Sequence, residues 1–161
     1  MQAQALRQHR WLHRLRGEWS YESTALMGSR DPPGKVSGVE SVRALGDFWV
    51  VAGGQGGMPG GGEASTLMTL GYNPETRSFV GSWVGSMMPW LWTYDGWLDA
   101  TEQVLTLETE GPSLAAPDTL AKYRDVIEWL DADHRVLTSH ALGADGQWTA
   151  MMISHYSHRL R

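Results

Sequence analysis

Apolar and polar residues alternate with a period of two through most of this chain, between Gly17 and Tyr156. The alternation divides into about ten segments of roughly 8 to 12 residues, separated by turn residues, and none of them has helical periodicity. This pattern predicts a meander of antiparallel strands. A sheet of this length with short connections closes on itself or splits into two layers, because closure removes the unpaired strand edges. We therefore expect an all-β protein that forms one closed barrel.

A short helix is expected before the strands, over about residues 3 to 16. Its apolar face recurs at three-residue spacing and consists of Leu6, His9, Leu12 and Leu15. Gly17 is a suitable stop, and we expect the helix to pack across one end of a barrel formed by residues 17 to 158. The length of 161 residues suits one domain, so we expect residues 1 to 161 to form a single barrel domain.

A glycine-rich segment interrupts the alternation at residues 53 to 62, between the third and fourth predicted strands. It contains seven glycines and Pro59, and it has few side chains that could hold a fixed loop. No helix follows it, so it is not a phosphate-binding loop. We expect a mobile hairpin tip that governs entry to the barrel.

Composition and charge exclude several classes of function. The chain has no cysteine, which excludes disulfides, thiolate nucleophiles and cysteine-based metal sites. The net charge is −5, and every acidic residue follows the four arginines of the first sixteen residues, so the body of the protein is acidic and unsuited to nucleic acid. No apolar run has signal-peptide or membrane-spanning length, and we expect a cytoplasmic protein without a membrane partner.

Bulky residues on the fifth and sixth predicted strands are candidates for the walls of a binding cavity. The chain has nine tryptophans against two phenylalanines, and tryptophan suits cores, ligand walls and interfaces alike. The candidate wall residues are Trp83, Met87, Trp92 and Tyr94. A ten-stranded barrel has a wider bore than an eight-stranded one, so a cavity is expected unless these side chains fill it. The alternative is that they form an ordinary core.

Three polar residues are candidates for orienting a ligand: Glu40, Tyr123 and His155. Glu40 and Asp125 each share a face with apolar residues, and a charge on such a face needs a partner. The basic residues that we expect within the barrel strands are Arg43, Lys122 and Arg124. These charged residues form either an internal polar cluster that binds a ligand head group, or a structural network or an ion pair on the outer face.

The six histidines do not have the spacing of a metal site. His155 and His158 are three apart on a strand and point to opposite faces, while His134 and His140 share a face about 20 Å apart. The expected hairpin sets His134 nearly opposite His155, but this pair lacks a third ligand. We expect no metal and no cofactor. An inward-facing His155 could ligate haem or act as an acid or base, which keeps a haem-binding alternative open.

The segment Gly17-Glu18-Trp19, placed where the helix gives way to the first strand, resembles the Gly-x-Trp signature of the calycin superfamily. That superfamily includes lipocalins and fatty-acid-binding proteins. The resemblance implies a calycin-like barrel in which Trp19 closes one end and packs against a basic residue near the last strand, here Arg159 by position. Nitrobindin-type haem barrels are more distantly similar, and they carry further glycines where this chain does not.

The whole chain also resembles a bacterial family known only as a domain of unknown function, the one numbered 1579. The resemblance covers roughly residues 8 to 158. The similar segments are GEWSYES, SGVESVRALG, MTLGYNPE, FVGSWVGSMM, LWTYDGWLD and TLAKYRDVIE. It implies a calycin-like, lipocalin-like barrel and brings no established substrate, cofactor or catalytic residue.

These observations favour a barrel that binds a small hydrophobic or aromatic molecule in its interior. One alternative is a barrel enzyme, an isomerase or hydrolase of a hydrophobic substrate that uses an inward carboxylate or His155. A second alternative is a haem-binding barrel that uses His155. A third alternative is a filled barrel that acts as an interaction module and forms a homodimer. The surplus of tryptophan favours this alternative.

Overall fold

A computed structural model describes residues 3–27 and 34–159, which form a closed antiparallel barrel of ten strands. Each strand pairs with its neighbours in the chain, and the last strand closes the barrel on the first. The strands are β1 (Gly17–Ala25), β2 (Lys35–Leu45), β3 (Trp49–Gly57), β4 (Glu63–Asn73), β5 (Ser78–Gly85), β6 (Met88–Leu98), β7 (Val104–Pro112), β8 (Leu120–Asp131), β9 (His134–Leu142) and β10 (Trp148–His158). The predicted meander and its closure are confirmed.

One helix precedes the strands in the described residues, α1 (Arg7–His13), and it is shorter than predicted. The three residues after it form tightened turns, in which Leu15 N–H donates to the Leu12 carbonyl oxygen at 3.0 Å, and Gly17 then takes a φ of 127°. The helix packs across one end of the barrel, which we name the helix end. It is not long and apolar enough to cross a membrane, and no other helix occurs in residues 3–27 and 34–159.

Hydrogen bonds and aromatic rings hold α1 on the barrel. The Trp11 indole N–H donates to the Glu102 carbonyl oxygen at 2.7 Å, and the Trp19 indole N–H donates to the Leu15 carbonyl oxygen at 2.8 Å. Trp129 packs against both indoles, with ring centroids at 6.4 Å from Trp11 and 5.9 Å from Trp19. Trp19 is 1% exposed, so the bore is sealed at this end.

The opposite end, which we name the loop end, carries the connections at residues 58–62, 86–87, 113–119 and 143–147. The prediction that all of residues 53–62 form a hairpin tip is wrong, because Gly53–Gly57 lie in β3 and pair with β2 and β4. Packing requires glycine at Gly56 of β3 and at Gly38 opposite it in β2, because a Cβ on either would collide with the Tyr21 hydroxyl.

Candidate ligand-binding site in the barrel interior

The bore is packed in its helix-end half and open in its loop-end half. Large inward side chains near α1 are fully buried; they include Trp19, Leu70, Phe79, Leu105 and Leu107. Nearer the loop end Tyr123 is buried, but four other inward aromatic side chains are only half-buried: Tyr21, Trp83, Trp90 and Trp92. A side chain that points into a closed barrel and still has accessible surface borders unfilled space. The interior therefore has the form of a cup with its floor at the helix end.

A cavity lies at the floor of this cup, between the packed half and the open half. Leu15, which follows α1, and apolar side chains of five strands line it, together with Glu40, Arg135 and Tyr156. Its unoccupied space is about 350 Å³, part of which is open to solvent. The cavity is narrow, and without side-chain movement it has room for water-sized molecules.

A buried ion pair stands on the cavity wall. An Arg135 guanidinium N–H donates to Glu40 Oε1 at 2.5 Å, and the Arg135 side chain is 4% exposed. The guanidinium carbon lies 4.5 Å from the Trp19 ring centroid and 4.0 Å from that of Tyr156, so the charge is sandwiched between two aromatic faces. Glu40 faces inward as predicted, but its charge is already neutralised by Arg135.

The basic residue that packs against Trp19 is Arg135, and not Arg159 as the family resemblance implied. Arg159 is exposed, and its described contact is a backbone one, from its N–H to the Glu18 carbonyl oxygen at 2.8 Å. Arg135 stands one residue into β9, so it shares the inner face with Leu137 and Ser139. The predicted basic residues of the strands did not include Arg135, although the alternation that places it on one face with Leu137 was a signal in the sequence.

A second carboxylate, Asp125, is held inside the barrel by two hydroxyl groups. The Tyr94 hydroxyl donates to Asp125 Oδ2 at 2.5 Å, and the Ser139 hydroxyl donates to Oδ1 at 2.7 Å. Burial raises the pKa of Asp125, while the two hydroxyl donors act in the opposite direction. Burial, followed by the nearby Asp125 charge, raises the pKa of Tyr94 well above its usual value, so its phenol remains a donor.

Trp92 and Tyr123 form an aromatic corner in the loop-end half. Their rings meet edge to face with centroids 5.4 Å apart, and the Trp92 indole covers Gly111, where no Cβ could be accommodated. The Tyr123 hydroxyl donates to the Pro112 carbonyl oxygen at 2.6 Å. Tyr123 is therefore inward, as predicted, but its hydroxyl holds the end of β7 in place.

Five of the seven predicted wall and orienting residues lie on the inner face: Glu40, Trp83, Trp92, Tyr94 and Tyr123. Two predictions are wrong as to placement. His155 is exposed on the outer surface, because Ser154 and Tyr156 are the inward residues of β10. Met87 lies in the turn after β5 and is 39% exposed, because β5 ends at Gly85 instead of continuing through the methionines.

The register of the last hairpin also differs from the expected one. A bulge between Ala150 and Met152 shifts β10, so that His134 lies opposite Ser157 and His155 lies opposite Val136. The His134 Nδ1 atom instead contacts Asp131 at 2.8 Å. Within residues 3–27 and 34–159, no three histidine or carboxylate side chains are close enough together to hold a metal ion.

Solved structures with a similar fold share little sequence with this chain. The M. tuberculosis protein Rv2717c is 13% identical with a TM-score of 0.66, over 98% of this chain and 100% of that one. The S-type phycobiliprotein lyase CPES from Guillardia theta is 14% identical with a TM-score of 0.58, over 94% and 92%. EF1p2_mFAP2b bound to DFHBI is 14% identical with a TM-score of 0.50, over 95% and 99%. At such identities these likenesses show the fold alone.

Sequence comparison assigns the chain to a family. No curated protein sequence matches it at a significant level. The model of a family described as a protein of unknown function, DUF1579, matches residues 4–158, nearly the full length. This agrees with the resemblance of six segments between the first strand and β8. The chain belongs to the DUF1579 family.

Proposed function

We propose that this protein is a calycin-like container that binds a small, largely apolar or aromatic molecule in the loop-end half of its bore. The observation that carries the proposal is the half-buried state of inward aromatic side chains, among them Trp83, Trp90 and Trp92. Exposed apolar surface is unfavourable by about 25 cal/mol per Å². The helix-end half shows that this chain can fill its own bore, so the open half is better explained by an occupant.

The proposed ligand enters from the loop end, since Trp19 and α1 seal the other end. The connection at residues 58–62 belongs to this entrance, and Gly60, Gly61 and Gly62 all have positive φ there. We propose that this connection governs entry. A protein with a similar fold, EF1p2_mFAP2b, is bound to DFHBI, which supports the capacity of such a barrel to hold a small ligand.

A neutral aromatic probe tests the proposal. We expect N-phenyl-1-naphthylamine to bind and fluoresce. Trp92→Ala should weaken its binding by about fivefold or more, because Trp92 is a wall of the open bore. Trp97→Ala is the matched control, since Trp97 stands on the outer face of the same strand and is 46% exposed. Native mass spectrometry of freshly purified protein would identify a retained ligand. Failure of the probe to bind, or equal effects of the two variants, would contradict the proposal.

The alternatives that use His155 lose their support, because this side chain is on the outside of the barrel. Haem ligation and acid–base catalysis by His155 inside the bore are therefore not proposed. An enzyme that uses an inward carboxylate would depend on Asp125, since Glu40 is paired with Arg135. Turnover that is abolished by Asp125→Asn while probe binding persists would identify that second function.

We also propose a homodimer through the outer face of β3 to β6, which we name the uncharged face. No Lys or Arg lies on these four strands, and Glu63 and Asp95 are its acidic side chains in the described chain. Its exposed apolar residues are Trp49, Leu67, Val84, Leu91 and Trp97. Each copy has a net charge of −5, so a face with few charges lets two copies meet with little repulsion.

Molar mass in solution tests the dimer. We expect light scattering after size exclusion to give the mass of two chains, and Leu67→Glu to give the mass of one. Leu130→Glu is the control, because Leu130 is 59% exposed on the outer face of β8, outside the uncharged face. A monomeric wild type, or equal disruption by both variants, would contradict this arrangement.

A further inference from the structure

Beyond an apolar ligand in general, we propose that Asp125 anchors a cationic group of the ligand, an organic ammonium attached to an aromatic or apolar body. This inference rests on the proposed function and specifies the chemistry of the ligand. It starts from a difference between the two inward carboxylates. Glu40 has Arg135 as its partner at 2.5 Å, whereas the partners of Asp125 are the hydroxyls of Tyr94 and Ser139.

The hydroxyl partners leave the Asp125 carboxylate without a salt bridge. Among residues 3–27 and 34–159, no Lys, Arg or His side chain forms a salt bridge with it. The nearest basic residue along β8, Arg124, points outward, where it pairs with Glu108 at 3.0 Å. His140 lies opposite Arg124 on β9 and so belongs to the outer face; its charge lowers the pKa of Asp125 from across the sheet, but it forms no hydrogen bond with the carboxylate. A buried carboxylate is normally paired, and an ammonium of the ligand would complete the pair.

Asp125 faces the bore and is only partly buried as a residue. Asp125 and Ser139 both face inward and both keep accessible surface, so a ligand in the open half can contact them. Each carboxylate oxygen accepts one hydroxyl proton and retains capacity for a further donor. An ammonium has three donors and no acceptor, which matches this remaining capacity.

Next to Asp125, the hydroxyl of Thr109 lacks a hydrogen-bond partner. Thr109 is 8% exposed, and its hydroxyl oxygen forms no hydrogen bond in the described structure. Thr109 lies opposite Tyr123, and Leu107 lies opposite Asp125, so the threonine and the aspartate are diagonal neighbours on the inner face. Trp92 and Tyr123 contribute aromatic faces beside them, which can stabilise a cation. Carboxylate, free hydroxyl and aromatic rings together form a site for an arylalkylammonium.

Two probes of the same shape test the inference. Phenethylamine carries an ammonium at neutral pH, and 2-phenylethanol places a neutral hydroxyl at the same position. We expect calorimetry to show that the amine binds wild-type protein about tenfold or more tightly than the alcohol, because a hydrogen bond to a charged group is stronger than a neutral one. Asp125→Asn should abolish the preference. Asp95→Asn is the control, since Asp95 is exposed on the outer face of β6 and its substitution removes the same charge.

The outcomes separate this inference from the proposed function. Equal binding of the two probes by wild-type protein, or an amine preference that persists in Asp125→Asn, would overturn the ammonium site and leave the container intact. Binding of neither probe, together with failure of N-phenyl-1-naphthylamine to bind, would overturn both. The wild-type comparison needs no variant. If Asp125→Asn does not fold, Ser139→Ala provides the second test: it frees an acceptor on Asp125, so the amine preference should persist or grow, and its loss would count against the inference.

Discussion

The loss of one partner of the buried ion pair between Glu40 and Arg135 should destabilise the protein strongly, and the loss of both partners should destabilise it less. Glu40→Met leaves the Arg135 guanidinium buried, with its side chain 4% exposed and no carboxylate beside it. Breaking a buried pair in this way costs about 3–5 kcal/mol, a large share of the roughly 5–15 kcal/mol that stabilises a whole domain. For a chain of this size, the melting temperature should fall by about 6–20 °C.

The double variant Glu40→Met/Arg135→Met should recover much of this loss. Replacing both charges by apolar groups of similar length is often neutral or stabilising, although the contacts of the guanidinium with Trp19 and Tyr156 are lost. We expect the double variant to be at least about 2 kcal/mol more stable than Glu40→Met alone.

Urea unfolding followed by tryptophan fluorescence measures these differences by linear extrapolation. The control is the exposed pair between Glu22 and Lys35, whose side chains are 60% and 65% exposed at 3.4 Å. Glu22→Gln should change stability by less than about 1 kcal/mol. The reasoning is refuted if Glu40→Met costs under about 1 kcal/mol, or if the double variant with Arg135→Met is as unstable as the single one.

Three further predictions concern the core, the buried carboxylate and the helix. Gly38→Ala should destabilise the fold by about 1–3 kcal/mol, because its Cβ would collide with the Tyr21 hydroxyl and with backbone, whereas Gly53→Ala meets nothing within 4 Å and should be neutral or stabilising; chemical unfolding compares them. Burial raises the folded-state pKa of Asp125 above its unfolded value, so the folded state binds more protons. Wild type should therefore gain stability relative to Asp125→Asn as the pH falls from neutral into the carboxyl range, and a constant difference in unfolding free energy would contradict this. Trp11→Phe removes the indole N–H that holds α1 on the barrel and should lower the unfolding free energy by about 1 kcal/mol; an unchanged urea midpoint would show that the hydrogen bond contributes nothing.

The inner face of each strand could be predicted where only one of its faces is apolar. In β8, the large apolar residues Tyr123, Ile127 and Trp129 share one face, the other face carries Lys122, Arg124 and Glu128, and the three apolar residues are buried inside the barrel. In β10 both faces carry apolar residues, with Ile153 on one and Tyr156 on the other, so alternation alone did not decide which was inner. The misplacement of His155 follows from this ambiguity.

The alternation of the chain was enough to predict the number of strands and their order, because period two and short turns are local properties that lead consecutive strands to pair. The three-residue apolar spacing before Gly17 was enough to predict a helix. Closure into one barrel instead of two stacked layers is a property of the whole sheet, and the structure shows it. Only the tertiary structure decided the chemistry of the interior. Glu40 and Arg135 are 95 positions apart, and Tyr94 and Asp125 are 31 apart. Such pairs depend on the tilt and register of all the strands between them, and a single bulge in β10 shifts that register.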